Sequence, residues 1–235
     1  ESFENSFGSA VSTDQETLFV ADAKSLAGVV RTFEWRLTPI ASANGQVTSV
    51  VLIAVDVTEH LQEQHRLEEL ANRDGLTGLF NRRAILGVLG ESFNAPPCSV
   101  ILCDADRFKR FNDEFGHPEG DKLLKRVGEI FTRVAGDLGV PGRYGGEEFI
   151  VIVPGKGMKE ALELAEQMRA AVEAETTDLN GGATASFGVA STEEAIESPE
   201  QGTLIRRADD CLYASKHNGQ NQVSHGIANS DSHAA

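Results

Sequence analysis

The chain has 235 residues, enough for one large domain or two smaller ones at roughly 150 residues per domain, and 40% of them are hydrophobic, so it can bury a core. Asp and Glu number 36 against 21 Lys and Arg, a net charge of −15, which excludes a protein held on nucleic acid by bulk electrostatics because phosphate binding needs a basic face. The longest purely aliphatic run, Val50 to Val55, is far too short for a membrane span.

In chain order, Val29 to Val55 reads as two strands, VVRTFEWRLTPI with alternating Phe33, Trp35 and Leu37, then QVTSVVLIAV, joined by the hairpin signal Asn44-Gly45. A helix start follows at Asp56-Val57-Thr58-Glu59, where Asp56 can cap and Glu59 can reach back to it. The helix continues through HLQEQHRLEELANR. Its apolar positions recur only partly at heptad spacing, so it reads either as a solvated connector or as a dimerising helix that buries Leu61, Leu67 and Leu70. Past Asp74 the pattern becomes a helix over 81–92, a strand at SVILC, a helix over 120–134 and a strand pair flanking Gly145-Gly146. A helix over 159–174, a strand at ATASFGVA and a helix over 204–217 complete it. Strand, helix, strand, strand, helix, strand is the split-βαβ order of a ferredoxin-like α+β sheet, expected with helices on one face. The end of the chain, 225–235, has no periodicity and is expected to be disordered.

Cys98, Cys103 and Cys211 form an odd set without C-x-x-C spacing, so neither a disulfide framework nor a zinc site is indicated, and a reducing, cytoplasmic setting is the expectation. The chain opens without an initiator Met in what reads as mid-domain. The expectation is a fragment of a longer protein whose upstream part would carry any sensor or membrane anchor.

Two segments carry chemistry. In ILCDADRFKRFNDEFGHPEGD an aliphatic strand runs into Asp104, placing a carboxylate at a strand end; hard oxygen ligands there suit Mg²⁺, which takes one or two carboxylates plus substrate phosphates. Alone, Asp104 and Asp106 also fit residues that cap the next turn. In Arg143-Tyr144-Gly145-Gly146-Glu147-Glu148-Phe149 the two glycines permit a tight turn and close approach of a ligand. Neighbouring strand residues face opposite sides, so Glu147 and Glu148 reach one site only if the turn twists them. Alone, this stretch also fits an ordinary charged hairpin. Phe108, Phe111 and Phe115 read as helix packing and His117 as a turn residue, while His60 and His65 ride the connecting helix.

Together these segments resemble the GGDEF domain of diguanylate cyclases in its GGEEF form, over about Asn72 to Val223. DGLTGLFNRR, DADRFKRFND, GHPEGD, RYGGEEF, SFGVA and YASKHNGQN occur in the family's order. The resemblance implies a Mg²⁺-dependent enzyme, with Mn²⁺ as the alternative ion, that condenses two GTP into cyclic di-GMP and two pyrophosphates as a homodimer. Asp104, Glu147 and the Ala105 carbonyl match its metal ligands, and Glu148 adds charge beside them. Asn112 and Asp121 match the guanine readers. Phe108, Lys109 and Lys216 match the phosphate donors, next to the glycines Gly145 and Gly146. A carboxylate at Asp121 suits guanine, which presents two adjacent donors on its Watson–Crick edge.

Two features depart from the family. Gln220 replaces a phosphate-binding arginine, a loss of charge worth on the order of 1.5–3 kcal/mol in binding. Gly136 and Gly139 stand where an Arg-x-x-Asp product-inhibition motif would lie, so no inhibition through that site is expected. Residues 1–56 resemble the last strands of a PAS sensor, about half of such a domain and too short for a confident core of its own; dimer contacts would support it. The expected organisation is a partial PAS domain over 1–56, a signal helix over 57–73, a GGDEF domain over 74–224 and a tail over 225–235. The alternative function is a catalytically silent GTP-binding regulatory module.

Overall fold

A computed structural model describes residues 12, 15–24, 28–43, 46–180, 182–193 and 200–226; the Asn44-Gly45 turn and the tail beyond 226 lie outside the described residues. The chain divides into two compact units, 1–69 and 70–235.

The first unit contains an antiparallel sheet in the order β1 (Thr17–Lys24), β2 (Val30–Ala41), β3 (Val47–Asp56). The β2–β3 pair matches the expected hairpin strands, while β1 was not anticipated. Register puts Phe19 opposite Trp35 and Leu37 opposite Leu52, so these side chains share a face. Only Phe19 and Leu37 are buried there, and Leu18, Val20, Val51 and Ile53 remain exposed. Helix α1 (Thr58–Asn72) starts differently from the expected Asp56–Glu59 box, because Asp56 is still a strand residue. Its Oδ1 accepts the Thr58 amide at 3.0 Å, and Thr58 Oγ1 accepts the Thr32 amide at 2.9 Å, tying the helix start to β2. Leu67 and Leu70 on α1 are exposed within the single chain.

The second unit is built on five strands, β4 (Cys98–Ala105), β5 (Val140–Gly145), β6 (Glu148–Pro154), β7 (Ala185–Ser191) and β8 (Val223–His225), in the spatial order β5-β6-β4-β7-β8. The first four pair antiparallel and β8 adds in parallel. This is the split-βαβ arrangement, since β6 lies between β4 and β5, and β4 lies between β6 and β7. His225, expected in the tail, closes β8.

The helices are α2 (Arg82–Phe93), α3 (Phe108–Phe115), α4 (His117–Ala135), α5 (Met158–Glu175) and α6 (Gln201–His217). The one helix expected over 120–134 is therefore a longer α4 preceded by α3, with Gly116 at φ 86° making the break. The expectation of helices on one face is corrected. Ile101 and Cys103 of β4 pack with Phe131 of α4 and Leu164 and Met168 of α5. Val100 and Leu102 face the other way, onto Ile85 and Leu89 of α2 and Leu204, Ala208 and Leu212 of α6. A strand covered on both sides reads as a continuous apolar run, which is why β4 is buried throughout and ends abruptly at the polar Asp104-Ala105-Asp106.

Candidate active site

The strand-end carboxylate sits where the aliphatic run predicts. Asp104 is the last but one residue of β4 and lies directly across from Glu148 of β6, so their side chains share a face. The turn between β5 and β6 is Gly146-Glu147, with Gly146 at φ 47°, and the Ala105 amide donates to the Glu147 carbonyl at 3.3 Å. A ladder irregularity between Arg143 and Gly145 accompanies that turn. The twist required to bring both glutamates to one site is therefore present, and both act on the charge of Asp104. Burial is the main force raising its pKa to about 6; Lys216 opposes it, and Glu147 and Glu148 add to it.

Lys216, near the C-terminal end of α6, places Nζ 2.7 Å from Asp104 Oδ2. In this state a cation therefore already offsets the carboxylates. Among the described residues no group of three His, Cys, Asp or Glu side chains is gathered as a metal site. The expected donors, the carboxylates of Asp104 and Glu147 and the Ala105 carbonyl, are all hard oxygens at this strand end. That fits a hard divalent ion completing its shell with substrate oxygens and water, not a closed structural site.

Asn112 on α3 faces the first turn of α4. Its Oδ1 is buried without a hydrogen-bond partner among the described residues, although such an atom is costly to leave unpaired. Gly120 makes the space beside it: a Cβ there would stand 1.9 Å from Asn112 Oδ1 and 3.1 Å from Phe108 Cζ. Asp121, the next residue, is exposed at the same end of α4. Phe108 is buried, Lys109 is exposed, and the two begin α3. An amide oxygen without a partner among the described residues, a glycine that lets it pack close and an exposed carboxylate are thus brought together at one helix end.

Several residues frame the site through distant partners that the sequence alone does not reveal. Asp106 is buried and accepts from Thr184 Oγ1 at 2.7 Å, Ser186 Oγ at 2.6 Å and the Asn221 amide at 3.0 Å, so it fastens the end of β4 to the loop after α6. Arg143 donates to the Gly146 carbonyl at 2.7 Å and to Asp74 at 3.0 Å, linking the signature turn to the start of the unit. Asp74 also accepts the Thr77 amide and hydroxyl. Burial alone would raise the Asp74 pKa, but the Thr77 bonds and Arg143 together hold it below the ordinary value.

The family profile for the diguanylate cyclase GGDEF domain matches residues 71–222. The chain belongs to the GGDEF family. The response regulator PleD of Caulobacter vibrioides is 38% identical over 181 residues, covering 71% of this chain and 38% of its own. A diguanylate cyclase of Vibrio cholerae is 33% identical over 202 residues, covering 83% of this chain and 62% of its own. The chain thus spans between 38% and 62% of these curated relatives. Among solved structures, the coiled coil and GGDEF domain of DgcB from Caulobacter crescentus, in complex with c-di-GMP, aligns with a TM-score of 0.63 at 31% identity over 72% of this chain and 93% of that one. In this GGDEF domain the signature GGEEF is Gly145 to Phe149, at the β5–β6 turn. Gly139 sits tight against the sheet, since a Cβ there would lie 2.9 Å from Val151 Cγ1.

Proposed function

We propose that this chain is a diguanylate cyclase that joins two GTP into cyclic di-GMP and two pyrophosphates. The observation that carries the reading is the convergence of Asp104, Glu147 and Glu148 at one strand end beside Lys216, in a chain of the GGDEF family.

Asp104, Glu147 and the Ala105 carbonyl would hold Mg²⁺ or Mn²⁺. Bound there, such ions neutralise the triphosphate, polarise the α-phosphorus and lower the pKa of the attacking 3′-hydroxyl. The chain's own residues do the placing. Asn112 offers its unpaired amide oxygen and Asp121 its carboxylate to guanine's donors. The first amides of α3, at Phe108 and Lys109, meet phosphate oxygens at a helix N-terminus. Lys216, whose ammonium lies 2.7 Å from Asp104, would present its charge to phosphate oxygens beside those carboxylates. Each 3′-oxygen forms a bond to the partner nucleotide's α-phosphorus as the bond to pyrophosphate breaks, so two half-sites on two chains must face each other, and orientation supplies much of the rate.

The proposed organisation is a partial PAS sensor over 1–56, a signal helix over 57–73, a catalytic domain from 74 through His225 at the end of β8, and a tail after it, in a cytoplasmic setting. We further propose that the product does not inhibit through the positions of Gly136 and Gly139. Incubation with an equimolar GTP and ATP mixture and Mg²⁺, with Glu147→Ala in parallel, tests the reading. Cyclic di-GMP from the parent alone supports it. Hybrid or adenine-containing cyclic products, or no product with GTP still bound, point to a relaxed cyclase or to a silent module instead.

A further inference from the structure

The strained backbone of this domain is concentrated at one place. Among the described residues, the non-glycine residues with positive φ are Arg107, Asn180, Gln220 and Asn221, at 56°, 50°, 67° and 46°. All four line a single cavity of about 660 Å³ beside α3. Left-handed backbone at a residue with a Cβ persists only where the surroundings fix it, and such residues cluster at functional sites.

The surroundings here do fix it. The Gln220 amide donates to the Ser215 carbonyl at 3.0 Å and the Asn221 amide to Asp106 at 3.0 Å. The Asn221 side chain accepts from Arg169 at 2.8 Å and donates to Glu173 at 2.9 Å. Across the gap, Arg107 Nε donates to Gln220 Oε1 at 2.9 Å. Among the described residues no protein acceptor is paired with the two terminal nitrogens of Arg107. Its guanidinium is thus held by one edge and offers the other.

Charge gives this geometry a purpose. A triphosphate approaching Asp104, Glu147 and Glu148 needs cations, and Lys216 is bound to Asp104. Gln220 itself brings no charge, although its position in the family holds an arginine.

We propose that Arg107 supplies the phosphate-binding guanidinium, relocated across the loop, and that Gln220 acts as its positioning residue. This rests on the reading of the domain as a GTP-using cyclase. It replaces the sequence-based expectation of a weakened phosphate clamp: the clamp is intact, with its charge coming from β4's end instead of the loop after α6.

The test measures GTP binding by calorimetry in Mg²⁺, together with cyclic di-GMP formation, for the parent, Arg107→Ala, Arg107→Asn, and Arg107→Ala combined with Gln220→Arg. Asparagine tolerates positive φ, so Arg107→Asn separates loss of charge from backbone disturbance. Both single variants are expected to bind GTP at least about tenfold more weakly, a change of about 1.4 kcal/mol. The combined variant, which returns the charge from the other side, is expected within about threefold of the parent, a rescue that a merely structural role for Arg107 would not give. Single variants within twofold of the parent, or a combined variant no tighter than Arg107→Ala, would overturn the proposal. A parent that binds GTP but forms no cyclic di-GMP refutes the cyclase reading while leaving the clamp measurable. A parent that binds no GTP refutes both.

Discussion

At the scale of single residues the site trades stability for chemistry. An acid whose folded pKa lies above its unfolded value binds more protons folded than unfolded. The fold therefore loses stability as pH rises from 3.8 to about 6 through Asp104, and carries the full penalty above that. Asp104→Asn is expected to raise the thermal midpoint of the metal-free protein at pH 7 by a few degrees, on the order of 1 kcal/mol, while abolishing turnover. A lower midpoint would contradict this. Asp74 has the opposite sign. Its pKa is depressed, so its contribution is present above the ordinary value of 3.8 and lost as pH falls through the folded one. The stability gap between the parent and Asp74→Asn, followed by urea midpoints, is expected to be open at pH 7 and to narrow below pH 3.8; a gap unchanged with pH would show that Asp74 acts by shape alone. Gly120→Ala pushes a methyl into the Asn112 amide and is expected to weaken GTP binding about tenfold or more. Unaltered GTP affinity would show that the space beside Asn112 holds no part of the substrate.

At the scale of elements, what could be read from sequence was what repeats locally. The alternation in β2, the aliphatic run of β4 and the helical spacing of α5 all leave a mark on neighbouring residues. The strand β1 escaped because TLFVADAK buries only Phe19 and exposes Leu18 and Val20, so no apolar stripe marks it. The two-sided covering of the sheet escaped because the order of strands and helices says nothing about which face the flanking α2 and α6 take. Asp106 and the Arg107–Gln220 pair escaped because their partners lie 78 to 115 positions away. The meeting of Asp104, Glu147 and Glu148, by contrast, was legible because strand end and glycine turn are local features, and the family resemblance joined them. One element boundary is open to test. Asn81 accepts the Ala84 amide at 3.1 Å and donates to the Ala71 carbonyl at 2.8 Å, while Arg83 donates to the same carbonyl at 2.9 Å. Thus the start of α2 caps the last turn of α1. Asn81→Ala is expected to lower stability by about 1 kcal/mol. A shift within a few tenths would mean that Arg83 alone suffices.

At the scale of the molecule, the proposed product contains two nucleotides, whereas one domain presents a single set of carboxylates around Asp104. Under the proposed function one chain supplies half of a site. Leu67 and Leu70, exposed on α1, and the apolar side chains exposed on the N-terminal sheet are surfaces that a second copy could cover, consistent with a dimer as the working unit. No helix among the described residues is long and apolar enough to cross a membrane. The most direct test is the rate of cyclic di-GMP formation at saturating GTP and Mg²⁺ as the concentration of purified chain is varied over about two decades. The account predicts a specific activity that rises with protein concentration and then levels off as dimers fill. A specific activity constant down to concentrations at which the chain sediments as a monomer would contradict it.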